Sequence, residues 1–162
     1  MPEKGPHLAI QAARESGISI ELAGPIGDTA YYESEVRPLL GGDVRYLGHL
    51  AHRELIPLVG AASVAVVTPR WDEPYGLVAA EAMACGTPVA GFARGALGEL
   101  VPEAAGRLAD ADDVPGLAHA LLDARELDRA TVRAHAVQFC SLTTMADAYE
   151  VLYSQMTPIV VA

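Results

Sequence analysis

Hydrophobic and polar positions in this chain fall into two alternating rhythms: a short apolar run, then a stretch with apolar residues on one helical face. Helical spacing covers about Pro6 to Ser16, and an apolar run from Ile18 to Ala23 follows it and breaks at Gly24-Pro25. A second helix is predicted over about Asp28 to Leu40, then a strand from Val44 to Leu47. Leu55, Leu58, Val59 and Ala62 recur at i, i+3, i+4 and i+7, the stripe of a third amphipathic helix. Val64 to Thr68 is a continuous β-branched run of the kind found in strands buried on both faces. Pro88 to Phe92 reads as another strand, and Arg107 to Ala109 as a short one after a helical turn. Val114, Leu117, Ala118, Leu121 and Leu122 mark a one-sided helix. From about Leu127 to Gln155 two helices are predicted, meeting near Cys140-Ser141. The second carries an apolar stripe of Met145, Tyr149, Leu152, Tyr153 and Met156.

Short strands alternating with helices predict an α/β fold with a doubly wound parallel sheet. In such sheets ligands bind beyond the C-terminal ends of the strands. At 162 residues the chain reads as a single domain spanning 1–162, with a helical C-terminal segment over 126–156 and a tail over 157–162. Hydrophobic residues make up 51% of it, yet no run approaches 18 apolar residues, so no membrane span is expected. No basic segment precedes an apolar one at the start, which argues against a secretory signal. Cys85 and Cys140 form neither a disulfide framework nor a metal spacing, and a cytoplasmic location is expected. Cys85 is read as buried packing in an apolar helix. A net charge of −10 argues against nucleic acid or an anionic membrane as partner. Asp110, Asp112 and Asp113 are read as a solvated turn with Asp113 near an N-cap, and no metal site is expected.

The candidate chemistry lies in WDEPYGLVAAEAMACGTPV, Trp71 to Val89. A strand ends there in a short loop bearing Glu73, and a helix is predicted to start near Tyr75 with Pro74 at its first position. The N–H groups of Tyr75, Gly76 and Leu77 would then lie open at a helix N-terminus, where anions bind. Glu81, eight positions after Glu73, would sit near the mouth of that site. Apolar neighbours Ala80, Ala82 and Met83 predict that its helix is largely buried. An amide nest flanked by two carboxylates suits a ligand that is both anionic and rich in hydroxyls, as a nucleotide sugar is.

The same residues carry a family resemblance. The segment resembles the pattern E-P-[FY]-G-L-x3-E-A-M-A-x-G-x-P-V of family-4 retaining glycosyltransferases, which have the two-domain GT-B architecture. Pro2-Glu3-Lys4-Gly5 is similar to the loop after the first strand of that family's donor domain. Arg94 to Leu100 is similar to its G-G-L-P-E-[IL] turn, with Ala96 in place of a glycine and Gly98 in place of a proline. The resemblance runs from Pro2 to about Tyr153 and implies the Rossmann-like C-terminal half of such an enzyme. It implies that Glu73 lies beside the donor sugar as the catalytic carboxylate. Lys4 and Gly5 would meet the diphosphate, Tyr75, Gly76 and Leu77 would serve it through backbone N–H groups, and Glu81 would accept the ribose hydroxyls. Gly95 and Ala96 would lie near the sugar. The co-substrate would be a nucleoside-diphosphate sugar, with no cofactor and no metal. His49 and His52 fall near the family's nucleobase position but read as exposed loop residues, and Trp71 as packing under the motif loop.

The resemblance also sets what the chain should lack. The family's strand ending in Gly-Arg precedes the Lys4 loop, and its arginine contributes to diphosphate binding, worth about 1.5–3 kcal/mol. Without that central strand two sheet edges are left unpaired. The tail Pro158-Ile159-Val160-Val161 could fill the position in its own chain or in a neighbour's, giving a homodimer, or could end as a frayed or helix-packed segment. A separate or missing N-terminal acceptor-binding domain is the expected partner, and the chain alone should bind donor weakly and transfer nothing. Two other readings stand beside this one. One is a catalytically inactive nucleotide-sugar-binding module or split-gene subunit. The other is a dinucleotide-dependent oxidoreductase, for which the G-x-G-x-x-G turn is missing.

Overall fold

The computed structural model describes residues 1–156. The strands are β1 (Ile20–Leu22), β2 (Val44–Tyr46), β3 (Ala65–Val67), β4 (Val89–Phe92) and β5 (Gly106–Ala109). The helices are α1 (Pro6–Ser16), α2 (Thr29–Tyr31), α3 (His52–Ala61), α4 (Leu77–Ala84), α5 (Leu97–Leu100), α6 (Val114–Ala124), α7 (Arg129–Phe139) and α8 (Leu142–Gln155). Every ladder is parallel: Ile20 lies opposite Val44, Val67 opposite Gly91, and Gly91 opposite Leu108. The expected doubly wound α/β fold is therefore present.

The sheet is divided. β1 and β2 form one pair, and β3, β4 and β5 form a separate three-stranded sheet. Among the described residues, β1 has no ladder partner besides β2, and β3 none besides β4. The halves meet through side chains instead of backbone bonds. Val66 of β3 packs on the Ile10–Ile20–Val44 cluster and also on the cluster built from Phe92, Leu117 and Leu121. The open edge shows in burial: all four residues of β4 are buried, whereas those of β3 are only half-buried. α1 bridges the division, placing Ala12 in one cluster and Ala9, Ile10 and Ala13 in the other. The tail residues 158–161, proposed to fill the vacant position, lie outside the described residues.

One expectation about a helix is corrected. The segment predicted as one helix from Asp28 to Leu40 is the single turn α2, then a wider π-type stretch (Tyr32–Val36) and a tight 3-10 turn (Arg37–Leu39). Asp28 caps it by accepting from the Tyr31 N–H at 2.9 Å, and Pro38, which has no N–H to donate, falls in the closing 3-10 turn while Arg37 before it keeps helical angles. The apolar stripe of α8 does not join the core: Tyr149 and Tyr153 are 51% and 62% exposed. Its length and periodicity resemble those of a core helix, yet its packing on the described residues runs mainly through α7. By contrast, Asp113 caps α6 as expected, accepting from the Gly116 N–H at 3.0 Å, and the α7–α8 corner falls at Cys140-Ser141.

One side chain secures the far end of α3. The guanidinium of Arg129 donates to the carbonyls of Gly60 (2.6 Å) and Ala62 (2.7 Å) and to the hydroxyl of buried Thr87 (3.0 Å). Thr87 in turn donates to the Val59 carbonyl at 2.7 Å. Replacing Arg129 with methionine strands these acceptors and should cost roughly 2–4 kcal/mol, lowering the thermal midpoint by roughly 5–15 °C. Arg125→Met, which removes a surface pair with Glu126, should shift stability by no more than about 0.5 kcal/mol. Equal midpoints for the two variants by scanning calorimetry would contradict this account.

Candidate functional site

The site is assembled where the N-terminal loop, the end of β3 and the turn after β4 converge. Thr68, buried at the end of β3, donates its hydroxyl to the carbonyls of Lys4 (2.9 Å) and Gly5 (3.1 Å). The Arg70 N–H donates to the Glu3 carbonyl at 2.8 Å. Gly5 adopts a left-handed φ of 57°, and a Cβ there would lie 2.5 Å from the Thr68 carbonyl oxygen. Only glycine permits this approach. The N-terminal loop is thus stitched to the strand end, and Lys4 is delivered to the motif loop.

Lys4 Nζ lies 2.8 Å from Glu73 Oε2 and 5.0 Å from the centre of the Trp71 ring. The Trp71 indole N–H donates to the same oxygen at 3.1 Å. Oε1 of Glu73 has no hydrogen-bond partner among the described residues. Trp71 does not pack under the loop as expected. It is 42% exposed, because its N–H and ring face serve Glu73 and Lys4 at the surface.

The glycine turn closes on Glu73 from the other side. Gly95 has φ 58°, and a Cβ there would sit 2.4 Å from both the N and the O of Glu73. The Ala96 N–H donates to the Glu73 carbonyl at 2.8 Å. The replacements at Ala96 and Gly98 leave this turn tight, because Gly95 makes the close contact.

The start of α4 is a correction. The helix begins at Leu77 with Gly76 as N-cap at φ 93°, so Pro74 and Tyr75 precede it and Pro74 is not its first residue. Packing decides this boundary: a Cβ on Gly76 would meet Leu97 and Leu100 of α5 at 2.8 and 3.0 Å. The N–H groups of Tyr75, Gly76, Leu77 and Val78 find no acceptor among the described residues, and the first helical bonds run from Ala79 and Ala80 to Gly76. The open N–H groups expected at Tyr75, Gly76 and Leu77 are therefore found, and Val78 adds a fourth.

Glu81 is a second correction. It is exposed, on the outer face that also carries Leu77 (66% exposed) and Val78 (59%), while Ala79, Ala82 and Met83 form the buried face. Both faces of α4 are apolar in sequence, so composition hides which one is outside. Glu81 lines a cleft of about 610 Å³ together with Tyr75, Leu77, Cys140, Leu142 and Met145. Burial, then the neighbouring Cys140, pushes the Tyr75 phenol above its usual range, and burial raises the Cys140 thiol. Cys85, expected to be buried, is half-buried at the end of α4.

The expected residues therefore form two groups. Lys4, Gly5, Glu73, Gly95 and Ala96 make one network of direct contacts. Tyr75, Leu77 and Glu81 line the cleft beside α8, and Gly76 joins the two groups. The cleft is lined mainly by apolar side chains, whereas charge and open N–H groups gather around Glu73 and Gly76. His49 and His52 are exposed, as expected, but His52 opens α3 and is not a loop residue. Sequence reasoning missed Asp112. It takes a left-handed φ of 63°, accepts from Arg94 at 3.1 Å, and lies 3.5 Å from Arg70, so it is not merely a solvated turn residue. Aspartate tolerates that conformation better than most residues, but nothing in the spacing signals the two arginines. Among the described residues, no three His, Cys, Asp or Glu side chains converge as metal ligands, and no helix is long and apolar enough to cross a membrane.

The sequence profile of the group 1 glycosyl transferases matches residues 1–136, a span holding every residue of both groups. The chain belongs to that family. Among its members, this glycosyl transferase chain is 37% identical over 126 residues to a glycogen synthase of Mycobacterium tuberculosis, covering 74% of the chain and 30% of that relative. It is 30% identical over 167 residues to a D-inositol 3-phosphate glycosyltransferase of Mycolicibacterium smegmatis, covering 95% of the chain and 38% of the relative. Among solved structures it resembles AviGT4, a glycosyltransferase of avilamycin A biosynthesis, with a TM-score of 0.84 at 27% identity. That match covers 96% of the chain and 48% of AviGT4. It also resembles Anabaena HepE in complex with UDP-glucose, with a TM-score of 0.80 at 26% identity, covering 96% of the chain and 46% of HepE. The glycosyl transferase chain thus spans less than half the length of each of these proteins.

Proposed function

We propose that this chain is the donor-binding half of a retaining, metal-independent family-4 glycosyltransferase that moves a sugar from a nucleoside-diphosphate sugar to an acceptor hydroxyl. The observation that carries this reading is the Lys4–Glu73 pair, 2.8 Å apart, beside the open N–H groups of Gly76, Leu77 and Val78. A cation and a helix N-terminus can hold a diphosphate and neutralise the charge that grows on it as it leaves. Glu73, with Oε1 unengaged among the described residues, accepts sugar hydroxyls and faces the positive charge that develops on the sugar. Gly95 and Ala96 fix Glu73 through its backbone. The acceptor attacks from the face the leaving group departs, so no side-chain base from this chain is required.

Glu81 accepts the ribose hydroxyls from its exposed position on α4. UDP is the probe of choice, because UDP-glucose is what HepE holds. Calorimetric titration should show UDP and UDP-glucose binding, with UDP favoured over 2′-deoxy-UDP by about tenfold. Glu81→Ala should weaken UDP to the level of the deoxy analogue and abolish the preference. Undetectable binding of both UDP and UDP-glucose would defeat the reading.

A second reading is a nucleotide-sugar-binding module without transferase activity. The edges of β1 and β3 that carry no ladder partner among the described residues favour it. Mixing the chain with the N-terminal half of a close relative separates the two: restored transfer supports the enzyme, whereas donor binding without transfer supports the module.

A further inference from the structure

Three cationic side chains belong to the loops that close the site: Lys4, Arg70 and Arg94. Each has a different commitment. Lys4 is paired with Glu73 at 2.8 Å. Arg94, 24% exposed at its side chain, donates to Asp112 at 3.1 Å. Arg70 approaches the other oxygen of Asp112 only through Nε at 3.5 Å, beyond ordinary hydrogen-bond length, and its side chain is 45% exposed. One carboxylate thus has a firm partner and a loose one, and the loose one is the residue free to take a ligand.

Arg70 is also well placed. It follows buried Pro69 just past the C-terminal end of β3, a strand with one edge unpaired among the described residues. Ligands of doubly wound sheets bind in the crevice outside the carboxyl ends of the strands. Its backbone N–H is held by the Glu3 carbonyl at 2.8 Å, so it sits directly against the loop that carries Lys4. Its aliphatic stem crosses Gly5, with Cγ 3.3 Å from where a Cβ there would lie. The guanidinium acts on His7 of α1, whose imidazole is pushed below its usual range by burial first and by Arg70 next, with Glu35 and Asp112 opposing.

Resting on the nucleotide-sugar reading above, we infer that Arg70 exchanges Asp112 for the diphosphate when donor binds, giving a two-pronged grip in which Arg70 and Lys4 hold the anion from adjacent strands of chain. Arg94 stays on Asp112 and keeps that carboxylate from following. The planar guanidinium suits this role, since it can meet two phosphate oxygens at once where an ammonium is a point charge. A chain of net charge −10 gains from a second local cation when it takes up an anion.

The test is a set of titrations of the full chain with UDP, UMP and uridine. The variants are Arg70→Gln, Arg70→Lys and, as a control on an exposed surface pair, Arg37→Gln. Arg70→Gln should weaken UDP roughly 10- to 100-fold and leave uridine within about twofold of the parent. Arg70→Lys should recover part of the loss, and Arg37→Gln should bind as the parent does. If the parent binds UDP and Arg70→Gln binds it equally well, Arg70 is not on the phosphate, although the donor-binding reading stands. Equal losses for UDP and uridine would likewise overturn the inference, because they would report a distorted loop. If the parent binds neither UDP nor UDP-glucose, the donor-binding reading itself fails, and this inference fails with it.

Discussion

Replacing Gly95 with alanine is expected to destabilise the domain by roughly 2–4 kcal/mol and to weaken nucleotide-sugar binding by more than about tenfold. The added Cβ would stand 2.4 Å from the backbone N and O of Glu73, and backbone, unlike a side-chain tip, cannot rotate away. The φ of 58° adds its own strain for any residue with a Cβ. Relief requires the motif loop to move, which would displace Glu73 from Lys4 and break the 2.8 Å bond from Ala96. Gly98 is the internal comparison. It lies in α5 with open space where its Cβ would go, so Gly98→Ala should be neutral or stabilising by up to about 1 kcal/mol. Thermal unfolding and UDP-glucose titration of both variants test the pair of expectations. A Gly95→Ala protein that melts and binds like the parent would show that the two loops are not coupled as the geometry implies.

Glu73→Gln should produce two effects of opposite sign. In a preparation joined to an acceptor-binding half, transfer should fall by about 10²–10³-fold, since the charge facing the developing positive sugar is gone. Affinity for UDP, which carries no transferable sugar, should stay level or rise. In the resting protein the carboxylate holds the Lys4 ammonium at 2.8 Å, so a diphosphate must compete with Glu73 for that cation. Neutralising Glu73 removes the competitor. A rise of up to about tenfold in UDP affinity is the expected scale for a partly exposed pair. Loss of UDP binding in step with activity would mean that Glu73 supports the site's architecture instead of its chemistry.

Much of this was legible in the chain. The alternation of β-branched runs and one-sided helices determined the α/β class, and five of the predicted strand positions hold strands. The glutamate-containing motif, the Lys4 loop and the Gly95 turn pointed to one locality, and the structure joins them by direct contacts. What could not be read was set by neighbours distant in sequence. Propensity places a helix start at Pro74, yet α4 begins at Leu77 because Gly76 is pressed against Leu97 and Leu100. Ala80, Ala82 and Met83 made α4 look buried all round, but apolar Leu77 and Val78 share the outer face with Glu81, and only packing distinguishes the two sides. The apolar stripe on α8 was legible as a period, but its exposure was not, for the same reason.

The sequence by itself determined the α/β class, the charge balance and the stretch in which the candidate chemistry lies, because these follow from local periodicity and from side-chain type. Only the tertiary structure decided that Thr68 fastens the Lys4 loop to β3, that Gly95 admits the Glu73 backbone, and that Asp112 gathers two arginines from separate loops. Each of these is a contact between segments far apart in the chain. Such a contact depends on distances of a few ångströms that the order of residues does not encode locally.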